Sequence, residues 1–149
     1  MGAQNDLLDG IAQLIAGAGI ASYDTTGAYG PTDTGIFFKA VNPKPDRIVT
    51  LTAYGVTDRP AQAESRFGVQ VRMRGTQDPR DVDELGDAIF TLLHGLTNVT
   101  FGSVVAEQVL RQSSITLGQD QAKRWERADA FYIDVALPPS NTRPTAGSW

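Results

Sequence analysis

The sequence predicts an α+β fold, an antiparallel sheet of about four to five strands with two helices packed on one face and the other face exposed. Three observations predict it. Two segments space their apolar residues at helical intervals, around residues 7–15 and 82–96. The stretch FGVQVRMRG (67–75) alternates apolar and polar residues strictly, as a half-buried strand does. Short turns rich in Pro, Gly and Asp separate the strand-like segments, as hairpin connections require.

The first helix rests on Leu7, Leu8, Ile11, Leu14 and Ile15, which form one stripe. Asn5 or Asp6 can cap its start, and Gly17 or Gly19 can end it. Residues 21–35, ASYDTTGAYGPTDTG, have no period and read as a long loop, a length at which loops tend to carry function. GIFFKAV is a short strand, and NPKPD is a turn because Pro43 and Pro45 cannot continue a central ladder. RIVTLTAYG is a second strand, with Val49, Leu51 and Ala53 alternating with Ile48, Thr50, Thr52 and Tyr54. VTDRPAQAES reads as a polar loop leading into the alternating strand.

The second helix has the clearest start signal. Asp78 caps, Pro79 takes the first helical position, and Asp81, Asp83 and Glu84 favour the positive end of the helix dipole. Val82, Leu85, Ile89, Leu92, Leu93 and Leu96 form its apolar stripe, and Gly95 stops it. SVVAEQVLRQSSITLG alternates imperfectly, yet Val105, Val109, Ser113 and Ile115 suit a long strand. AFYIDVALP closes the fold, with Phe131, Ile133, Val135 and Leu137 on one face and Pro138 and Pro139 ending it. Residues 1–138 read as a single domain, and 139–149 as a flexible tail.

A chain of 149 residues can bury enough surface to stand without disulfides, and it has no cysteine for a bridge or a thiolate site. The start lacks a basic leader and no apolar run is long enough for a membrane span, so the expectation is a soluble protein made in the cytoplasm, with no membrane partner. Thirteen basic and 17 acidic residues, net −4, argue against gripping nucleic acid as the main task.

No catalytic constellation assembles. His94, the sole histidine, sits in the last helical turn, where it favours the dipole's negative end. Asp81, Glu84 and Asp87 recur one turn apart, as on many exposed helix faces. GAYGPTDTG lacks the lysine of a phosphate loop. The expectation is no enzyme, no cofactor and no metal.

Gln70, Arg72 and Arg74 share one sheet face. Their bland reading is a solvated face with acidic cross-strand neighbours. The contact reading draws on Trp125, set in the mixed-charge segment QDQAKRWERAD, and on Trp149 at the end of the apolar-poor tail. A subunit interface over Gln70, Arg72, Arg74, Asp81, Glu84, Asp87, Trp125 and Trp149 follows, with the arginines of one copy docking on the Asp81–Asp87 helix face of the next.

Over residues 5–138 the chain also resembles the tail terminator, or minor capsid, proteins of long-tailed bacteriophages. The matching points, in order, are the helix from Leu7 to Ile15, the strand after the proline turn (NPKPDRIVTLTAYG), and the Gln70-x-Arg72-x-Arg74-Gly75 strand. A helix ending LLHGL follows, then Leu117-Gly118-Gln119-Asp120 with Arg124, and the strand AFYIDVAL. The 21–35 loop and the tail depart from the family pattern. The resemblance implies helices on an antiparallel sheet, and a ring, usually hexameric, in the virion at the head–tail interface. That ring caps the tail tube protein, ends its polymerisation and docks the head connector or stopper protein. Genomic DNA would pass through it without specific binding, and a mildly acidic ring suits that passage because a strongly basic lumen would trap DNA. An adaptor or stopper role at the same junction is the neighbouring reading, and a small α+β ligand-binding module or enzyme is the more distant one.

Overall fold

The computed structural model describes residues 2–58 and 64–136. Its elements are α1 (Ala3–Gly17), β1 (Thr34–Phe38), β2 (Arg47–Asp58), β3 (Glu64–Arg74), α2 (Pro79–Leu93), β4 (Thr97–Phe101), β5 (Val104–Gln119) and β6 (Trp125–Ala136). The strands form one sheet in the order β1-β2-β3-β6-β5-β4. Both helices lie on one face of it. Leu7, Leu8, Ile11 and Ile15 of α1 and Val82, Leu85, Ile89 and Leu93 of α2 bury against Val49, Leu51, Val69, Val71, Phe131 and Ile133. The α+β class holds.

Three expectations change. The sheet has six strands, not four to five, because TNVTF pairs with the start of β5 across Gly102, whose φ of 58° fits the tight turn. The sheet is mixed rather than antiparallel throughout, since β1 runs parallel to β2. Finally, β2 continues to Asp58 and β3 begins at Glu64, so both ends of the expected 56–65 loop are strand, while 59–63 lie outside the described residues. The imperfect alternation of β5 also has a cause. Its register against β6 shifts between Ala106 and Gln108, Arg111 and Ser113, and Thr116 and Gly118, and each extra residue resets which side chains face the core.

The helix ends follow their signals unevenly. In α2, Asp78 accepts from the Arg80 N–H at 3.0 Å, as an N-cap does. In α1 the N-cap is Gly2, without a side-chain bond. Asp6 turns instead to the β4–β5 turn, accepting from the Ser103 N–H (3.0 Å) and hydroxyl (2.6 Å), and these bonds lower its pKa. Gly10 lets Phe101 lie against α1, since a Cβ there would sit 2.2 Å from the ring. Tail residues 139–149, with Trp149, fall outside the described residues, as does Leu137.

Candidate interaction surface

The sheet face away from the helices is the candidate surface, and pair registers fix its rows. Tyr54, Gly68, Tyr132 and Leu110 lie level. Thr52, Gln70, Ala130 and Ser113 form the next row, and Thr50, Arg72, Ala128 and Ile115 the one after. Small residues in the middle strands leave the tyrosines room: a Cβ at Gly68 would lie 2.2 Å from the Tyr54 ring.

The polar residues of this face divide by role. Arg66 forks onto Asp134 (2.7 and 3.2 Å) and lies over the Tyr132 ring. Arg72 reaches Glu126 at 3.0 Å, the acidic neighbour of the bland reading. Gln70 is exposed. Arg74 is only 3 % exposed and donates to the carbonyls of Asn42 (2.7 Å), Pro45 (2.8 Å) and Asp46 (2.8 Å). Its guanidinium thus holds the NPKPD turn, and burial lowers its pKa. Beside it, Arg124 joins Asp120 (2.8 Å) to Asp46 (3.0 Å) and the Pro43 carbonyl (2.8 Å). The Leu117–Arg124 motif therefore ties the β5–β6 turn to the proline turn.

The expected acidic helix face is also partly committed. Asp81 accepts from the Thr76 N–H at 3.0 Å and stands 3.2 Å from Arg47 Nε, near enough for an ion pair though not aligned as a hydrogen bond. Asp83 and Asp87 meet Arg127 at 3.4 and 3.1 Å. Glu84 is exposed and has no ion pair among the described residues. Trp125 opens β6, half-buried against the core, with its backbone bonded to Gly75 and Thr76. Among the described residues no arginine of the open face lies within ion-pair range of Asp81, Glu84 or Asp87 in the same chain.

A network that the sequence reading missed lies under α2. Asp129 is 0 % exposed and receives Arg127 on both oxygens (2.9 and 3.0 Å), the Ser114 hydroxyl (2.6 Å) and Arg111 (3.5 Å). Arg111 also lies 3.9 Å over the Phe90 ring, which stacks on His94. His94 Nδ1 accepts from the Arg111 N–H at 3.0 Å, so the lone histidine serves as a helix-end anchor for β5. The signal was present: Arg127 and Asp129 sit two apart on β6, hence on one face, in a segment whose next residues of that parity are Phe131 and Ile133.

The 21–35 loop is spent on the β1 margin. Ser22 donates to Thr34 and accepts from Ile36 (2.8 and 3.1 Å), and the Tyr29 hydroxyl donates to the Ile36 carbonyl at 2.7 Å. Tyr23 donates to Asp9 of α1 at 2.7 Å; burial first, then Asp9, pushes its pKa up to about 12. A groove of about 520 Å³ between α1 and β4 is lined by Asp6, Asp9, Gln13 and Phe101, but both carboxylates are already bonded. Among the described residues no group of three His, Cys, Asp or Glu side chains could hold a metal ion, and no helix is long and apolar enough to cross a membrane.

A family model described as bacteriophage tail terminator protein matches residues 14–137. No curated protein matches the chain in sequence. Among solved structures, one superposes with a TM-score of 0.51 at 15 % identity, covering 93 % of this chain and 100 % of the other, a likeness of fold alone.

Proposed function

This chain belongs to the bacteriophage tail terminator family and so to the structural proteins of the phage tail, and from that premise we propose that its copies form a ring, hexameric, on the end of the tail tube. The ring stops tube polymerisation and offers the head connector its docking surface, while genomic DNA slides through. The observation that carries this reading is the family match across nearly the whole folded body, residues 14–137. The open sheet face supports it, because a face that no helix covers among the described residues is available to a neighbouring subunit.

Within this reading the interface residues sort by availability. Gln70 and Glu84 are free to reach a partner, and Arg72 can do so by sharing Glu126. Arg74, Asp81 and Trp125 shape the surface from beneath, and Asp87 divides between Arg127 and solvent. Trp149 is proposed to join the contact from the tail.

The test is electron microscopy of lysates from phage carrying an early stop codon in this gene. Overlong tails beside unattached, filled heads are expected. Tails of normal length without heads would move the role to an adaptor or stopper. Normal virions would end the assembly reading.

A further inference from the structure

The two lateral margins of the sheet are stepped, and the steps are complementary. On one side β1 covers β2 only from Arg47 to Leu51, which leaves the outer edge of Thr52–Asp58 without a partner among the described residues. On the other side β4 covers β5 only from Val104 to Gln108, and Leu96 extends that cover to Val109, leaving the outer edge of Leu110–Gln119 bare among the described residues except for the His94 bond to Arg111. The registers show where these gaps lie. Leu51 is level with Val71, Asp129 and Ser114, whereas Gln108 is level with Asp134, Arg66 and Thr57. The far end of the bare part of β2, Thr57–Asp58, therefore stands at the height of β4, Thr52–Gly55 at the height of Val109–Ser113, and the bare Ser114–Gly118 of β5 at the height of β1. A second copy set alongside, strands level, would bring β1 to the bare half of β5 and β4 to the Thr57–Asp58 end of β2.

The side chains agree with the edges. The large apolar residues left exposed among those described are Val41, Tyr54, Val105, Leu110, Ile115 and Leu117. Leu110, Ile115 and Leu117 lie on the bare half of β5, Tyr54 is on the bare part of β2 and Val41 follows β1; Val105 lies where β4 covers the strand. Ile115 is 57 % and Leu117 46 % exposed. Gln112–Gln119 contains no charged residue and no proline, two of the devices by which proteins protect an edge strand, and carries only the register shifts against β6. Charge is complementary as well. Lys39 and Lys44, at the β1 margin, have no ion pair among the described residues, while α2, which reaches β5 through Phe90, exposes Asp83, Glu84 and Asp87.

We propose that a second copy of this chain docks margin to margin: the bare half of β5 with Ile115 meets the next copy's margin around Lys39 and Val41, and β4 passes the end of the next copy's β2 at Thr57–Asp58. The two margins differ, so the contact is head-to-tail, the kind that closes into a ring when its rotation divides a full turn. This contact rests on the ring reading above and specifies how the ring is joined.

The chain's lack of cysteine makes cross-linking clean. The V41C/I115C double variant, mixed with tail tubes and treated with a short bismaleimide, is expected to give a ladder of covalent multimers ending at one closed species. Each single variant should remain monomeric on the gel. Dimers from I115C alone would overturn the proposal, because they require like margins to face each other. So would cross-linking of I115C to tube subunits in place of a second copy. Rings seen by microscopy without a ladder would overturn this joint and leave the ring reading standing; no rings and no ladder would sink both. The I115K/L117K variant, altered only at exposed side chains, should lose assembly with an unchanged unfolding midpoint. Rings of unchanged size from it would also overturn the proposal.

Discussion

The β1 margin and the distal half of β5 are both sheet edges, and the chain treats them in opposite ways. At β1 a loop folds back, supplies backbone partners through Ser22 and clamps both sides with aromatics: Tyr23 packs on Phe38, and Tyr29 stands edge-on to Phe37. At β5 no described residue pairs with the outer edge of Gln112–Leu117, and beyond its ladder to β6 this half of the strand is tied on the helix side through the ionic cluster at Asp129. An unpaired edge is a template for another strand, so sealing one and leaving the other bare is a choice of where contact can occur.

Breaking the support of the bare margin should have the largest effect. Asp129→Ala removes the buried partner of Arg127 and Arg111 and leaves Arg127 only the exposed Asp83 and Asp87, and losing one partner of a buried ion pair costs about 3–5 kcal/mol. Urea unfolding checks this; a loss under about 1 kcal/mol would mean that apolar packing holds β5 after all. Next comes Gly86→Ala. Its Cβ would lie 2.6 Å from Arg127 Cζ, so the guanidinium must shift from Asp129, and overpacking of this kind costs about 1–3 kcal/mol.

Tyr23→Phe sharpens the comparison from the sealed side. It removes one hydrogen bond, worth about 0.5–1.5 kcal/mol, and should raise hydrogen exchange at Ser22 and Ile36 while leaving β5 unchanged. The same tyrosine gives a pH signature. Its folded pKa of about 12 lies above the ordinary tyrosine value of 10.0, so its contribution is full below pH 10 and is lost as pH rises from 10 to 12. In Tyr23→Phe the alkaline loss of stability should be smaller over that window. The smallest stability effect belongs to Ile115→Lys, expected within about 0.5 kcal/mol of the parent because its side chain meets solvent. A larger loss would show that the bare margin is packed within the single chain.

Much of this was legible in residues. The helix stripes, the alternation of Phe67–Met73 and the Asp78-Pro79 start each depend on local rules, and each appears where the spacing puts it. The missed strand β4 is five residues long with one buried side chain, too short to show a period. Arg74 misled for a different reason. Alternation assigns a side chain to a face but cannot say whether that face is wet, and here the proline turn folds beneath it. Asp6 looked like a cap and became a clasp for a turn 97 positions away.

The sequence by itself determined two helices, a sheet with one apolar face, the absence of thiol chemistry and a resemblance that the family match bears out. Those properties follow from periodicity, composition and local capping, which act over a few residues. Tertiary structure alone decided the parallel β1, which arginines are spent inside the chain, and which margin is sealed. These depend on which segments meet across the sheet, and a charge or a strand edge is free only after every other segment has taken its place.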